Sequence, residues 1–329
     1  MRSGPRPIIL QGHERSLTQI KYNKEGDLLF SVSKDKLANV WFSHNGERLG
    51  TYDGHNGTVW CIDVDYASKY VLTGSADQSA RLWECRTGKQ LVKFATPTSV
   101  RTCGFSYSGK TIFYTTDNVM GHPCRIFFHD LKDELAQSTE PKKIIDLPAG
   151  NKITAAVFGP LDKTLITGHD DGTINVWDVE TGKIIKSSQE HEKYINSIQL
   201  NGDQTSFVSA SKDSTAKLFD TETLEVLKTY KTPTNVNSAA ISPLRPHVVL
   251  GGGQEAREVT TTSTRVGKFE VRFFHLIFEE EIGRVKGHFG PINTVAFHPS
   301  GKSFASGGED GFIRVHAFDP DYYEFEFDY

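Results

Sequence analysis

Val71-Leu72-Thr73-Gly74-Ser75-Ala76-Asp77-Gln78-Ser79-Ala80-Arg81-Leu82-Trp83, together with Gly54-His55 upstream of it, decides the fold, because its spacing recurs along the chain. A similar dyad stands at Gly12-His13, Glu190-His191 and Gly287-His288, and 22 residues beyond each histidine comes an acid: Asp35, Asp77, Asp213 and Asp310. Six residues after each acid stands a ring, Trp41, Trp83, Phe219 or His316, and four residues before it a hydroxyl, Ser31, Thr73, Ser209 or Ser306. A further unit carries Asn151 in the histidine slot, followed by Thr167, Asp171 and Trp177. Two more keep only the register: Pro97 lies 42 residues after His55, and Pro233 lies 42 after His191. The slots are His13, His55, Pro97, Asn151, His191, Pro233 and His288, and each interval is that of a single supersecondary unit.

Four residue types held in phase describe a hydrogen-bonded tetrad. The tryptophan N–H donates to the hydroxyl, the hydroxyl to the imidazole, and the imidazole N–H to the carboxylate, so a buried polar set closes on itself. This is the WD40 pattern, and the expected fold is all-β, a seven-bladed propeller. The ring slot in the two degenerate units falls on His129 and His275, and in the last unit on His316, where an imidazole keeps an N–H donor. Short β-branched and aromatic runs such as Thr173-Ile-Asn-Val-Trp177 read as strands. Turns with glycine, such as Asn23-Lys-Glu-Gly26 and Thr181-Gly-Lys183, separate them.

One propeller over residues 1–318 is expected, with repeats near 12–53, 54–95, 96–148, 149–189, 190–231, 232–286 and 287–318. Residues 7–11 precede the first dyad and are read as the outer strand of blade 7, closing the ring. Two units run long. The strand c–d turn of blade 3 gains the polar segment Lys132–Pro141, and blade 6 gains residues between strands b and c, including Gln254–Thr264. Blade 6 also lacks the tetrad acid, so something else must hold it. Residues 319–329 form an acidic-aromatic tail whose alternation from Tyr323 onward suggests an edge strand or a docking segment.

Lys+Arg 37 against Asp+Glu 41 gives a net charge of -4, which lacks the basic excess of a dedicated nucleic-acid binder. No apolar run is long enough to span a bilayer, and Ile8-Ile-Leu10 is too short for a signal peptide, so a cytosolic or nuclear address is expected. Cys61, Cys85, Cys103 and Cys124 share no metal or redox spacing and are read as reduced and buried. His13, Ser31 and Asp35 imitate a hydrolase triad, but the same trio recurs in other repeats, whereas a catalytic set is unique. No enzyme, metal site or cofactor is expected. The Gly251-Gly252-Gly253 run is read as a crowded strand exit rather than a phosphate loop.

Leu10-Gln-Gly-His-Glu-Arg15, Asn45-Gly-Glu-Arg-Leu-Gly-Thr-Tyr52, Leu250-Gly-Gly-Gly-Gln-Glu-Ala256 with Val259-Thr-Thr-Thr-Ser263, and Gly283-Arg-Val-Lys-Gly-His-Phe-Gly-Pro291 resemble the i-subunit family of eukaryotic translation initiation factor three. The tail Tyr322-Tyr-Glu-Phe-Glu-Phe327 is also similar to that family's. The resemblance implies a non-catalytic cytoplasmic scaffold that bridges the b and g subunits of the factor, touches the 40S subunit only indirectly, and binds neither membrane nor metal. It further implies that a C-terminal helical segment of b packs on the propeller. Asp203 and Asp220 are the residues expected to face basic groups of that segment, with Gln254, Glu255 and Arg257 of the blade 6 insertion adding surface. The alternative from another class is a signalling adaptor that recruits a receptor kinase, since a rigid ring of loops serves either role.

Overall fold

The computed structural model describes residues 6–119, 121–132, 138–148, 150–253 and 269–324. Its strands form seven four-stranded antiparallel sheets, each in the order a-b-c-d from the axis outward, arranged as a seven-bladed propeller. Blade 1 is typical, with strands Leu17–Tyr22, Leu28–Ser33, Ala38–Phe42 and Arg48–Tyr52. The second strand of each blade is almost wholly buried, and the outermost alternates or lies open, as the burial of Leu28–Ser33 against Arg48–Tyr52 illustrates. Strands covered on both faces need continuous apolar or small residues, which is why runs such as Leu-Leu-Phe-Ser-Val-Ser occupy that position.

Ring closure uses the chain's two ends. Ile8–Leu10 pairs antiparallel with Ile313–Ala317, Ile9 lying opposite Arg314, and so serves as strand d of blade 7. Asn293 Nδ2 donates to the Leu17 carbonyl at 2.9 Å, and the Ile20 N–H donates to Thr294 Oγ1 at 3.1 Å, joining blade 7 to blade 1.

The core lies between blades. Phe30, Val32 and Tyr52 of blade 1 pack with Val59, Ile62, Val71 and Trp83 of blade 2, the Tyr52 and Trp83 rings being 5.8 Å apart. Each tetrad tryptophan therefore has two tasks: its N–H closes a polar network, and its ring fills the seam to the preceding blade.

The long connections of blades 3 and 6 fall where the spacing places them. In blade 3, Arg125–Asp130 and Lys143–Asp146 flank the extra turn residues; in blade 6, His247–Gly252 and Glu270–His275 flank the insertion. At the exit of the blade 6 b strand, a Cβ on Gly252 would come within 2.1 Å of the Asn235 carbonyl oxygen, so the glycine run answers a close backbone approach.

The tail is described only as far as Glu324, so the alternating stretch read as an edge strand or a docking segment lies mostly outside the described residues. Pro320–Glu324 forms helix α1. Proline early in a helix is pre-set for that conformation, and the turn brings Tyr322 inward. Its ring stacks on Phe318 at 3.8 Å, and its hydroxyl meets His247 Nδ1 at 2.9 Å. Tail and blade 6 are thus stitched together in the blade that has no tetrad. Tyr230 of blade 5 adds a second stitch, donating to the Leu276 carbonyl at 2.8 Å. Tyr322→Phe should cost about 1 kcal/mol of unfolding free energy and Tyr322→Ala about 2–4 kcal/mol. Urea titration of the two variants beside the parent checks the order.

Candidate functional site: tetrads and the blade 5 to 6 edge

Two blades carry the full tetrad. In blade 1 the Trp41 N–H donates to Ser31 Oγ at 2.8 Å, Ser31 meets His13 Nε2 at 2.8 Å, and His13 Nδ1 meets Asp35 at 2.8 Å. In blade 2, Trp83, Thr73, His55 and Asp77 repeat this with distances of 2.9, 2.7 and 2.9 Å. Each carboxylate also accepts a backbone N–H, from Glu14 in blade 1 and Asn56 in blade 2, so the network clamps the loop that enters the blade. Burial pushes the Asp77 carboxyl up, but the hydrogen bonds from His55, the Ser79 hydroxyl and the Asn56 N–H, with the attraction of His55, together outweigh it and the group stays well below the usual carboxylate range.

The remaining blades vary the theme. In blade 5, His191 meets Ser209 at 2.6 Å and Asp213 at 2.7 Å, while Phe219 contributes only its ring, stacked on Phe207 at 5.0 Å. In blade 7, His288 meets Ser306 at 2.8 Å and Asp310 at 3.1 Å. His316 does not take the tryptophan's donor role there: its ring stacks on Phe304 at 4.9 Å and makes no hydrogen bond to Ser306 among the described contacts. Burial pushes the His316 imidazole down to about 4, leaving it a neutral packing ring.

Blade 4 requires a correction. Asp171 is exposed and accepts the Thr173 N–H at 2.9 Å, outside any tetrad. The imidazole comes instead from His169, two residues beyond the hydroxyl: Thr167 meets His169 Nε2 at 3.0 Å, and Trp177 donates to Thr167 at 2.8 Å. A histidine reached from the b strand leaves the Asn151 slot and the acid without partners in the network. In blade 3 the hydroxyl belongs to Tyr114, whose phenol meets His129 Nε2 at 2.9 Å. Register could have shown this, since Tyr114 stands two residues past Ile112, the residue opposite His129. The same register in blade 6 puts Val249 two residues past His247, which faces His275, so that slot holds no hydroxyl.

Asp203 and Asp220 both lie on blade 5, at the end opposite the tetrads. Asp203 sits in the turn between Ile195–Leu200 and Ser206–Ser211, Asp220 at the end of Thr215–Asp220. The Thr221 N–H donates to the Thr205 carbonyl at 2.9 Å and holds the two turns side by side. Asp220 accepts the Thr223 and Glu222 N–H groups at 2.7 and 2.9 Å, and the first of these bonds does most to hold its carboxyl below the usual range. Next along this edge comes the blade 6 c–d turn, with Ile277 and Phe278 exposed; Glu279 accepts the Thr229 N–H of blade 5 at 3.2 Å. Leu227 is exposed on strand d of blade 5, while Leu244, exposed on the a–b turn of blade 6, lies against Gly301 of blade 7. Gln254, Glu255 and Arg257 lie outside the described residues.

All four cysteines are free and buried. Among the described residues no cluster of His, Cys, Asp or Glu is arranged to hold a metal, and no helix is long and apolar enough to cross a membrane. The recurring Ser-His-Asp sets are blade staples, each with its hydroxyl buried away from any cleft.

Fold and networks together define a WD40-repeat β-propeller whose polar clusters maintain the ring and whose exposed turns are free for partners. The chain matches the EIF3I family over residues 5–328 and belongs to that family. It is 61% identical over 322 residues to eukaryotic translation initiation factor 3 subunit I of Danio rerio, covering 98% of this chain and 99% of the relative. Identity to the Homo sapiens protein of the same description is 60% over 324 residues, with 98% and 99% covered. A role in translation initiation follows from this membership.

Proposed function

We propose that the chain is a non-catalytic scaffold subunit of initiation factor three that bridges the b and g subunits in the cytoplasm during assembly of the pre-initiation complex. One observation carries the reading. The blade 5 to 6 edge combines exposed apolar side chains, Leu227, Ile277 and Phe278, with the carboxylates Asp203, Asp220 and Glu279. An amphipathic helix with basic flanks is the ligand such a strip accepts, because its apolar face covers the exposed carbons while its cations meet the acids. The helical C-terminal segment of b has that character in the proposal, and the 40S subunit is reached through partners rather than directly.

The double reversal Asp203→Lys/Asp220→Lys should abolish copurification with b while leaving thermal unfolding within a few degrees of the parent, because neither side chain is in the core. Retained binding of b by the folded double variant contradicts the assignment.

A further inference from the structure

Blade 6 caps its c–d turn differently from its neighbours. In blades 4 and 5 the residue after the ring slot is an aspartate, and Asp178 and Asp220 accept the N–H groups of Thr181 and Thr223. Blade 6 has Leu276 in that place, and the acceptor is the ring-slot residue itself. His275 Nδ1 takes the Ile277 N–H at 3.3 Å and the Phe278 N–H at 3.2 Å. The Phe278 ring folds back and stacks on the same imidazole at 4.5 Å, with 25° between the planes. A carboxylate has two oxygens and can accept over a range of orientations, whereas a neutral imidazole offers one in-plane lone pair. The turn therefore keeps its shape only while the His275 ring keeps its orientation.

The tail lies behind that ring. His275 packs edge-on against His247 at 5.9 Å and 66°, and His247 packs edge-on against Tyr322 at 5.1 Å and 71°. The Tyr322 hydroxyl meets His247 Nδ1 at 2.9 Å and fixes the imidazole about its own axis. An unbroken run of four rings thus leads from α1 to Phe278, which is 38% exposed on the blade 5 to 6 edge.

We propose that Tyr322 is a positioning residue for the partner edge: its contact with His247 holds His275, and through it the Phe278 turn, in the form that receives the apolar face of the helical segment of b. This rests on the edge being the b site, as proposed above. The tail is then part of the binding apparatus as well as a stitch for a blade without a tetrad.

Two measurements on the full-length chain separate this role from general stability. In hydrogen exchange, Tyr322→Ala should speed the Ile277 and Phe278 amides by about tenfold or more, while the Thr221 and Leu224 amides of the blade 5 turn keep the parent rate. In titration with the b subunit, Tyr322→Ala should bind about tenfold more weakly and Tyr322→Phe about threefold. Trp83→Phe, which is expected to lose as much stability as Tyr322→Phe but from blade 2, should bind as the parent does. Parent-like binding by folded Tyr322→Ala, under conditions where Asp203→Lys/Asp220→Lys has lost b, overturns the positioning role and leaves the edge standing. Unchanged exchange of the Ile277 and Phe278 amides overturns it as well. Parent-like binding of b by the double reversal overturns the edge assignment, and this inference with it.

Discussion

Trp83→Ala should lower the unfolding free energy by about 3–5 kcal/mol, the cost of removing a large, wholly packed ring. Trp83 is 1% exposed and fills the seam between blades 1 and 2, in contact with Tyr52, which itself donates to the Cys85 carbonyl at 2.9 Å. Removing the ring opens a cavity in that seam and takes away the N–H that Thr73 accepts. Trp83→Phe separates the two contributions: it keeps most of the ring and loses only the donor, so about 1 kcal/mol is expected. Phe219 in the equivalent place of blade 5 shows that a ring without a donor is tolerated, with Ser209 also 3.4 Å from the Lys217 carbonyl. Urea unfolding of both variants measures the difference, and equal losses would mean that the hydrogen bond, not the packing, dominates.

Acidification is expected to destabilise the ring in two stages. His129, His247 and His316 are pushed by burial from 6.5 to about 4 in the folded chain. Between those values the unfolded chain takes up more protons than the folded one. The stability of the neutral buried rings is therefore complete above about pH 6.5 and drains away as pH falls toward 4, by roughly 1 kcal/mol each after allowance for solvent screening. A second stage follows below the ordinary aspartate value of 3.8. For Asp77, Asp213 and Asp310, burial alone would raise the folded carboxyl, but the histidine hydrogen bonds together with those from neighbouring hydroxyls and backbone N–H groups hold it lower. Their contribution is present above that ordinary value and is lost as pH falls through the depressed folded one. Urea midpoints measured from about pH 7 to about pH 4 should fall steadily, and His316→Phe should flatten the first stage; a midpoint independent of pH over that range contradicts the burial of these imidazoles.

The blade count and the tetrads of blades 1 and 2 were legible because a closed polar network demands four residue types at fixed separations, and spacing survives in a sequence. What spacing does not carry is substitution from a neighbouring position. His169 enters its network from the same strand as Thr167, and Tyr114 supplies a phenol where serine or threonine was sought, so neither stands in an expected slot. Nothing in the spacing announced the contacts of Tyr322 with Phe318 and His247, which come from a turn of helix just before the alternating stretch. The proposed partner edge was legible only in part. Asp203 and Asp220 are distant in sequence from Ile277 and Phe278, and only the juxtaposition of blades 5 and 6 makes them one surface.

Affinity purification of the full-length chain from native extract is the most direct test of the scaffold reading. The account predicts recovery of the b and g subunits of initiation factor three together with 40S particles, and loss of b with the Asp203→Lys/Asp220→Lys variant. Recovery of a receptor kinase without any initiation-factor subunit would contradict it.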